Sequence, residues 1–153
     1  MNQLRVRSAT LDDLPTLLKF EQGIVTAERP FDPTLKPDPI SYYDLGKLIE
    51  SDEAEVVVAV VGDELVGSGY VKIKEAKNYL KYEFYGYIGF MFVRPEYRGQ
   101  GVSQVVTDAL IHWAKSRGLT EIRLDVYDEN EPAIRAYLKA GFTKNLVEMR
   151  MEI

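Results

Sequence analysis

The stretch EVVVAVVGDELVGSGYVKIK, Glu55 to Lys74, constrains this chain more than any other. Its valines are branched at Cβ and stiff at χ1, which favours an extended backbone over a helix. Gly62-Asp63-Glu64 interrupts the run as a turn, so the segment reads as a β-hairpin. An isolated hairpin is marginal in water and needs further strands or a helix over its faces. The rest of the chain must supply them.

It does so on both sides. LRVRS (Leu4–Ser8) alternates as a short strand, and KYEFYGYIGFMFV (Lys81–Val93) is a long aromatic-rich one. TLDDLPTLLKFEQGI places Leu14, Leu17, Leu18 and Ile24 near one helical face. Thr10 and Asp13 form its N-terminal cap, and Asp12 and Asp13 suit the positive end of the helix dipole. Arg29–Pro39 carries Pro30, Pro33, Pro37 and Pro39 and is expected to lack regular structure. A short helix is expected within Ile40–Ser51.

Beyond Val93 the pattern changes to strand and helix in alternation. A helix from Gly101 to Arg117 buries Val102, Val105, Val106, Ala109, Leu110 and Trp113, and Gly118 stops it. TEIRLDVYD is a strand with Ile122, Leu124 and Val126 on one face. NEPAIRAYLKA is a helix with Pro132 in its first turn and Gly141 past its end, and FTKNLVEMRMEI closes as a strand. The order is β-α-α-β-β-β-α-β-α-β, an α/β domain whose mixed, mostly antiparallel sheet is flanked by helices. The 153 residues fit a single domain.

Composition removes several classes of chemistry. The chain has no cysteine, so disulfides, thiol nucleophiles and thiolate metal sites are excluded, and its one histidine, His112, cannot build a multi-histidine metal centre. No metal is expected. The net charge of −5, with Lys and Arg scattered, argues against nucleic acid as a partner. No apolar run reaches the roughly 18 residues that span a bilayer, and the N-terminus has no signal-peptide core, so a cytoplasmic protein without a membrane partner is expected.

The chemistry-bearing feature is FVRPEYRGQGVSQ, a strand, a proline turn and a glycine-flanked arginine at a helix start. First-turn N–H groups lack intrahelical partners, the dipole is positive there, and glycine lets a ligand approach the backbone. Arg98 adds a cationic fork for phosphate, and Ser103 a hydroxyl. Neither the lysine of a P-loop nor a G-x-G-x-x-G fingerprint is present. Two readings of Gly99 and Gly101 stand side by side: a tight strand-to-helix turn, and an anion cradle.

Arg98-Gly99-Gln100-Gly101-Val102-Ser103, together with Asn130, Tyr137, Gly141 and Phe142 at their spacing, resembles the GNAT superfamily of N-acetyltransferases over about 50 residues. Ser103 departs from the usual Gly or Ala. The resemblance implies a GNAT-like fold and acetyl-CoA as cosubstrate, its pyrophosphate on the backbone of Arg98, Gly99, Gln100, Gly101, Val102 and Ser103. It implies further that Met91, Phe92 and Val93 hydrogen-bond the pantetheine arm, that Asn130 faces that arm, and that Tyr137 protonates the departing thiolate. Tyr137 also reads as helix packing beside Ile134 and Leu138, and Asn130 as a helix cap.

Histone-acetylating members carry a glutamate on the fourth strand where this chain has Ile88. The base is then Glu83, earlier on the same strand, or Glu21, Glu28 or a water chain. Glu28, Phe31 and Asp32 fall where the family builds its acceptor pocket. The implied reaction is acetyl transfer to a primary amine, of a small molecule or a protein, by direct attack in a ternary complex. A CoA-binding sensor without turnover is the alternative, a longer acyl donor is a further one, and a homodimer stays open.

Overall fold

The computed structural model describes residues 3–153. Five strands form one sheet in the order β1-β2-β3-β4-β5: β1 Leu4–Ser8, β2 Ala54–Val61, β3 Glu64–Glu75, β4 Phe84–Val93 and β5 Ile122–Arg123. β1 to β4 pair antiparallel, and β5 pairs parallel with β4 at Gly86–Ile122 and Tyr87–Arg123 only. Four α-helices cover the sheet: α1 Leu14–Glu28, α2 Leu45–Glu50, α3 Val102–Ser116 and α4 Glu131–Ala140. Among the described residues no helix is long and apolar enough to cross a membrane.

The unbroken valine run of β2 is explained by burial on both faces. Val56, Val58 and Val60 pack with Leu17, Phe20 and Ile24 of α1 and Leu45 of α2. Val57 and Ala59 look the other way, onto Val102, Val106 and Leu110 of α3. One hairpin thus organises two cores. The expected hairpin, the long strand, the helix after Gly101 and the helix after Asn130 are all present, with ends moved by a few residues.

Four expectations need correction. Leu18 points outward, 45% exposed, while Phe20, Glu21 and Val25 take the buried stripe of α1. Arg29–Phe31 is a single 3-10 turn that extends α1 into the proline-rich segment. The strand expected over 120–128 is hydrogen-bonded as a ladder at two residues only. FTKNLVEMRMEI, expected to close the sheet, has strand-like alternation but pairs with no strand among the described residues.

Thr10 and Asp13 meet as a capping box as expected, but they cap a 3-10 turn, Leu11–Asp13, that leads into α1. The Thr10 N–H donates to Asp13 Oδ2 at 2.8 Å, and Arg7 grips both oxygens of the same carboxylate at 2.8 and 2.9 Å. The Arg7 hydrogen bond, more than the Thr10 N–H, holds the Asp13 carboxyl below its ordinary range.

β4 is bent by a bulge. Its register with β3 shifts between Ser68 and Tyr70, and Phe90 sits there at φ +58° with its side chain buried. A bulky residue in the left-handed region is a rare conformation. It is held by Ser68 Oγ, which donates to the Phe90 carbonyl at 3.1 Å, and by Tyr43, edge-on to the Phe90 ring. Bulges twist a strand and re-aim the residues beyond them. The parallel pairing of β4 with β5 stops at Tyr87, and the two strands part over Ile88–Val93.

Candidate active site

The parting of β4 and β5 leaves a cleft of about 260 Å³ at the C-terminal end of β4. Met91, Phe92 and Val93 form its floor, Arg98 and Ser103 one end, Gly23, Ile24, Ala27 and Glu28 of α1 one wall, and Ala133, Ala136 and Tyr137 of α4 the other. The Arg94 N–H reaches the Val66 carbonyl on β3 at 2.8 Å. Strand N–H groups alternate in direction, so that of Val93 faces the cleft instead. Helix α1 comes so near at Gly23 that a Cβ there would lie 2.6 Å from the Phe92 ring.

The loop at the cleft's end leaves its backbone open. Gly99 and Gly101 have φ of +76° and +83°, a region where an L side chain is strained. A Cβ on either would meet nothing within 4 Å, so no protein atom packs over the loop there. Gly101 is the N-cap of α3, and no side chain caps that end. The first intrahelical bond runs from the Val105 N–H to the Gly101 carbonyl at 3.1 Å, which leaves the N–H groups of Val102, Ser103 and Gln104 without helical acceptors. The Val102 side chain is buried in the core, so Val102 can serve only through its backbone. Gln100 turns back to donate to the Glu96 carbonyl.

Tyr137 sits where α4 faces α1, its ring edge-on to Phe142 at 5.8 Å. Burial, with a smaller push from the Glu28 charge, raises its pKa to about 12. Glu28 is affected in the same sense: burial first, then the Asp32 charge, moves its carboxyl above the ordinary range, with the Tyr42 hydroxyl opposing. Burial ahead of the Glu28 charge raises the Tyr42 hydroxyl in turn to about 12.

Beyond Glu28 the 3-10 turn carries Phe31, with Asp32 next to it; neither is among the residues lining the cleft. Phe31 stacks on Tyr127 at 5.9 Å, and Tyr127 Oη donates to Asp32 Oδ2 at 3.0 Å. Asp32 is held low chiefly by the Thr34 hydroxyl and N–H, next by Tyr127, with Arg150 a lesser contributor. This joins the proline-rich loop to the chain just past β5.

The structure thus gathers Met91, Phe92, Val93, Arg98, Ser103, Glu28 and Tyr137 around one cleft, with Gly99, Gln100, Gly101 and Val102 in the adjoining loop. It does not bring Glu83 there. Glu83 is exposed and precedes β4, a whole strand away from Val93, on the order of 30 Å at the usual rise per residue. Glu21 is buried and occupied: its Oε2 accepts from the Tyr42 and Tyr43 N–H groups at 2.7 and 2.8 Å and pins the chain before α2. Asn130 caps α4, its Oδ1 facing the Ala133 N–H at 3.4 Å, and is not among the residues lining the cleft. Tyr42 and Tyr127 carry no local signal in the sequence. They reach the site through contacts that span many residues.

Residues 22–142 match the acetyltransferase (GNAT) family model. The chain belongs to the GNAT acetyltransferase family. It is 35% identical over 95 residues to an aminoglycoside N(6')-acetyltransferase of Klebsiella aerogenes, covering 60% of each chain. It is 30% identical over 143 residues to an uncharacterized N-acetyltransferase of Methanocaldococcus jannaschii, covering 93% of this chain and 62% of that one. These matches cover less than two thirds of the relatives' own lengths. Among solved structures, a tetramutant of a Bacillus halodurans protein superposes with a TM-score of 0.85 at 20% identity, over 97% of this chain and 99% of that one. A Clostridium acetobutylicum protein described as a predicted acetyltransferase, solved with acetyl-CoA, gives 0.71 at 18% identity over 98% and 96%. At those identities the likeness speaks for this GNAT chain's fold alone.

Proposed function

We propose that this GNAT protein transfers the acetyl group of acetyl-CoA to a primary amine by direct attack in a ternary complex. The observation that carries the reading is the meeting, in one cleft, of an uncapped helix N-terminus, an unpaired strand edge and two tuned ionisable groups. The free N–H groups at the start of α3, with Arg98, suit a pyrophosphate. The edge of β4 beyond the bulge offers N–H and carbonyl groups to an amide-containing arm, as an added strand would. Acetyl-CoA brings to this site a thioester carbon open to attack by an amine.

The chain's own residues handle the protons. Glu28, the one carboxylate lining the cleft among the described residues, with its carboxyl moved above the ordinary range by burial, takes a proton from the incoming ammonium or amine. Tyr137 keeps its proton throughout the physiological range and gives it to the sulfur as the C–S bond breaks. A desolvated thiolate is more basic than one in water, which reduces the mismatch with a phenol near 12. The Val93 N–H, aimed into the cleft, stands on the floor where the carbonyl oxygen gains charge. Glu28, Asp32 and the Phe31–Tyr127 stack give an anionic and aromatic wall suited to a cationic amine.

Release of free CoA thiol, measured with a panel of polyamines, aminoglycosides and peptides bearing free N-termini or lysines, tests the proposal. Turnover above the hydrolytic background with at least one amine is expected. Acetyl-CoA binding without amine-dependent release across the panel would favour a sensor, a reading supported by the buried Ile88 in place of a strand carboxylate.

A further inference from the structure

The α1 side of the sheet carries charge that neither the core nor the proposed proton transfers use. On β3, Tyr70, Lys72 and Lys74 alternate onto that side, while Val71 turns to the α3 core. Tyr70 is the last buried residue there, and Lys72 and Lys74 are half-buried. The register carries the row across the sheet: Lys72 stands opposite Tyr87 on β4, and Tyr87 opposite Arg123 on β5. The Lys72 ammonium lies 5.6 Å from the Tyr70 ring centre and 6.0 Å from that of Tyr87. The Lys74 ammonium lies 4.1 Å from the Tyr87 centre, and Arg123 sits over Tyr85 at 5.0 Å.

These aromatic contacts fix the cations in place without cancelling their charge. Arg123 pairs with Glu121 at 3.1 Å, but among the described residues no carboxylate reaches Lys72 or Lys74 within ion-pair distance. Two ammonium groups therefore share one ring. Burial first, then the Lys74 charge, lowers the pKa of Lys72. An oxyanion held between the two lysines offsets both effects. Toward the cleft the charge changes sign. Asp125, two residues beyond Arg123, accepts from the Tyr87 hydroxyl at 2.9 Å, and Glu28 lines the cleft itself.

We propose that the acceptor is an amine joined to an oxyanion, a carboxylate or a phosphate, and that Lys72 and Lys74 select it by holding that group beside Tyr87. An acceptor laid along this side of the sheet meets carboxylates at its reacting end and ammonium groups at the other. Tyr87 precedes Met91 of the cleft floor by four residues, about 13 Å at the usual rise of a strand. The lysine side chains reach across part of that span, and an extended tripeptide, roughly 10 Å long, covers the rest. Lys72 and Lys74 are specificity residues, remote from the reacting atoms. The inference rests on the acetyl-transfer reading for what becomes of the amine, and on the cationic row for what is bound.

Calorimetry with the protein saturated with CoA tests this without requiring turnover. Trialanine is compared with trialanine amide, and 6-aminohexyl phosphate with 6-aminohexanol. At least one oxyanion-bearing probe is expected to bind roughly tenfold or more tightly than its neutral partner, and the arm with the larger ratio identifies the group. Lys72→Met keeps the aliphatic stem beside Tyr70 and Tyr87 and removes the charge. The preference should then fall to about twofold or less, with the melting temperature near wild type, whereas Lys72→Arg should retain it. Lys77→Met, on the exposed loop beyond β3, should leave the preference unchanged. In turnover, K72M should raise KM for the preferred amine by roughly tenfold and leave kcat within a few-fold. Equal affinity for charged and neutral partners in both arms, no binding of either oxyanion probe, or a preference that K72M leaves intact would overturn the proposal. Selective, Lys72-dependent binding without release of CoA thiol would uphold the anion site and count against acetyl transfer instead.

Discussion

The two halves of the sheet are built on opposite terms. β1 to β4 are paired along their lengths, and β2 with the middle of β3 is covered on both faces, by α1 and α2 on one side and α3 on the other. β5 is held by two residues, α4 has no fully buried side chain, and the final segment is bare. The first half holds nearly all the core. The second half holds one wall of the cleft and Tyr137. The cleft exists where sheet is withheld: pairing of β4 with β5 stops at Tyr87, and the β5-facing edge of β4 beyond it, past the bulge at Phe90, is left exposed as the proposed binding surface.

This division predicts that changes in the cleft reduce turnover while changes in the paired half reduce stability. A large effect is expected at Glu28→Gln, which keeps the shape and removes the proposed base. kcat should fall by about 10²–10³ with the melting temperature little changed. The pH profile should change in a definite way. Glu28 must be ionised to act, and its raised pKa makes wild-type kcat/KM fall, as pH is lowered, sooner than an ordinary carboxylate near 4.3 would allow. In the variant that limb should vanish, and residual activity should track ionisation of the amine alone. An unchanged profile would remove Glu28 from the chemistry.

Comparable on the same free-energy scale, but opposite in kind, is Leu110→Ala. Leu110 is fully buried between α3 and the sheet, so its truncation should cost about 2–5 kcal/mol in denaturant unfolding. kcat of the folded fraction should stay within a few-fold. A large loss of kcat at full occupancy of the native state would show that the two halves are not separable.

The paired half is largely legible in the sequence, because local chemistry dictates it. Valine runs, the Gly62 turn, Thr10 with Asp13, and the glycine before α3 each act within a few residues. The cleft is legible where it depends on a contiguous motif, Arg98 to Ser103, or on helix position, as at Tyr137. It is not legible where side chains converge from distant segments. Nothing local to Glu28 distinguishes it from Glu21, yet one lines the cleft and the other is consumed by the N–H groups of Tyr42 and Tyr43. Glu83 reads as part of the strand that carries the site residues, but it precedes β4 and lies beyond the end of the strand opposite the cleft. The final segment keeps the alternation of a strand, but alternation names no partner, and no strand among the described residues pairs with it.

The central claim is that the cleft between α1 and α4 delivers a proton to the departing sulfur through Tyr137. Tyr137→Phe removes one oxygen and leaves the ring against Phe142, so steady-state kcat, read beside acetyl-CoA affinity and melting temperature, is the direct measurement. The account predicts a fall in kcat of roughly 10²–10⁴, with affinity and melting temperature near wild type. A folded Tyr137→Phe protein that turns over within a few-fold of wild type would contradict it, and would leave solvent as the source of the proton.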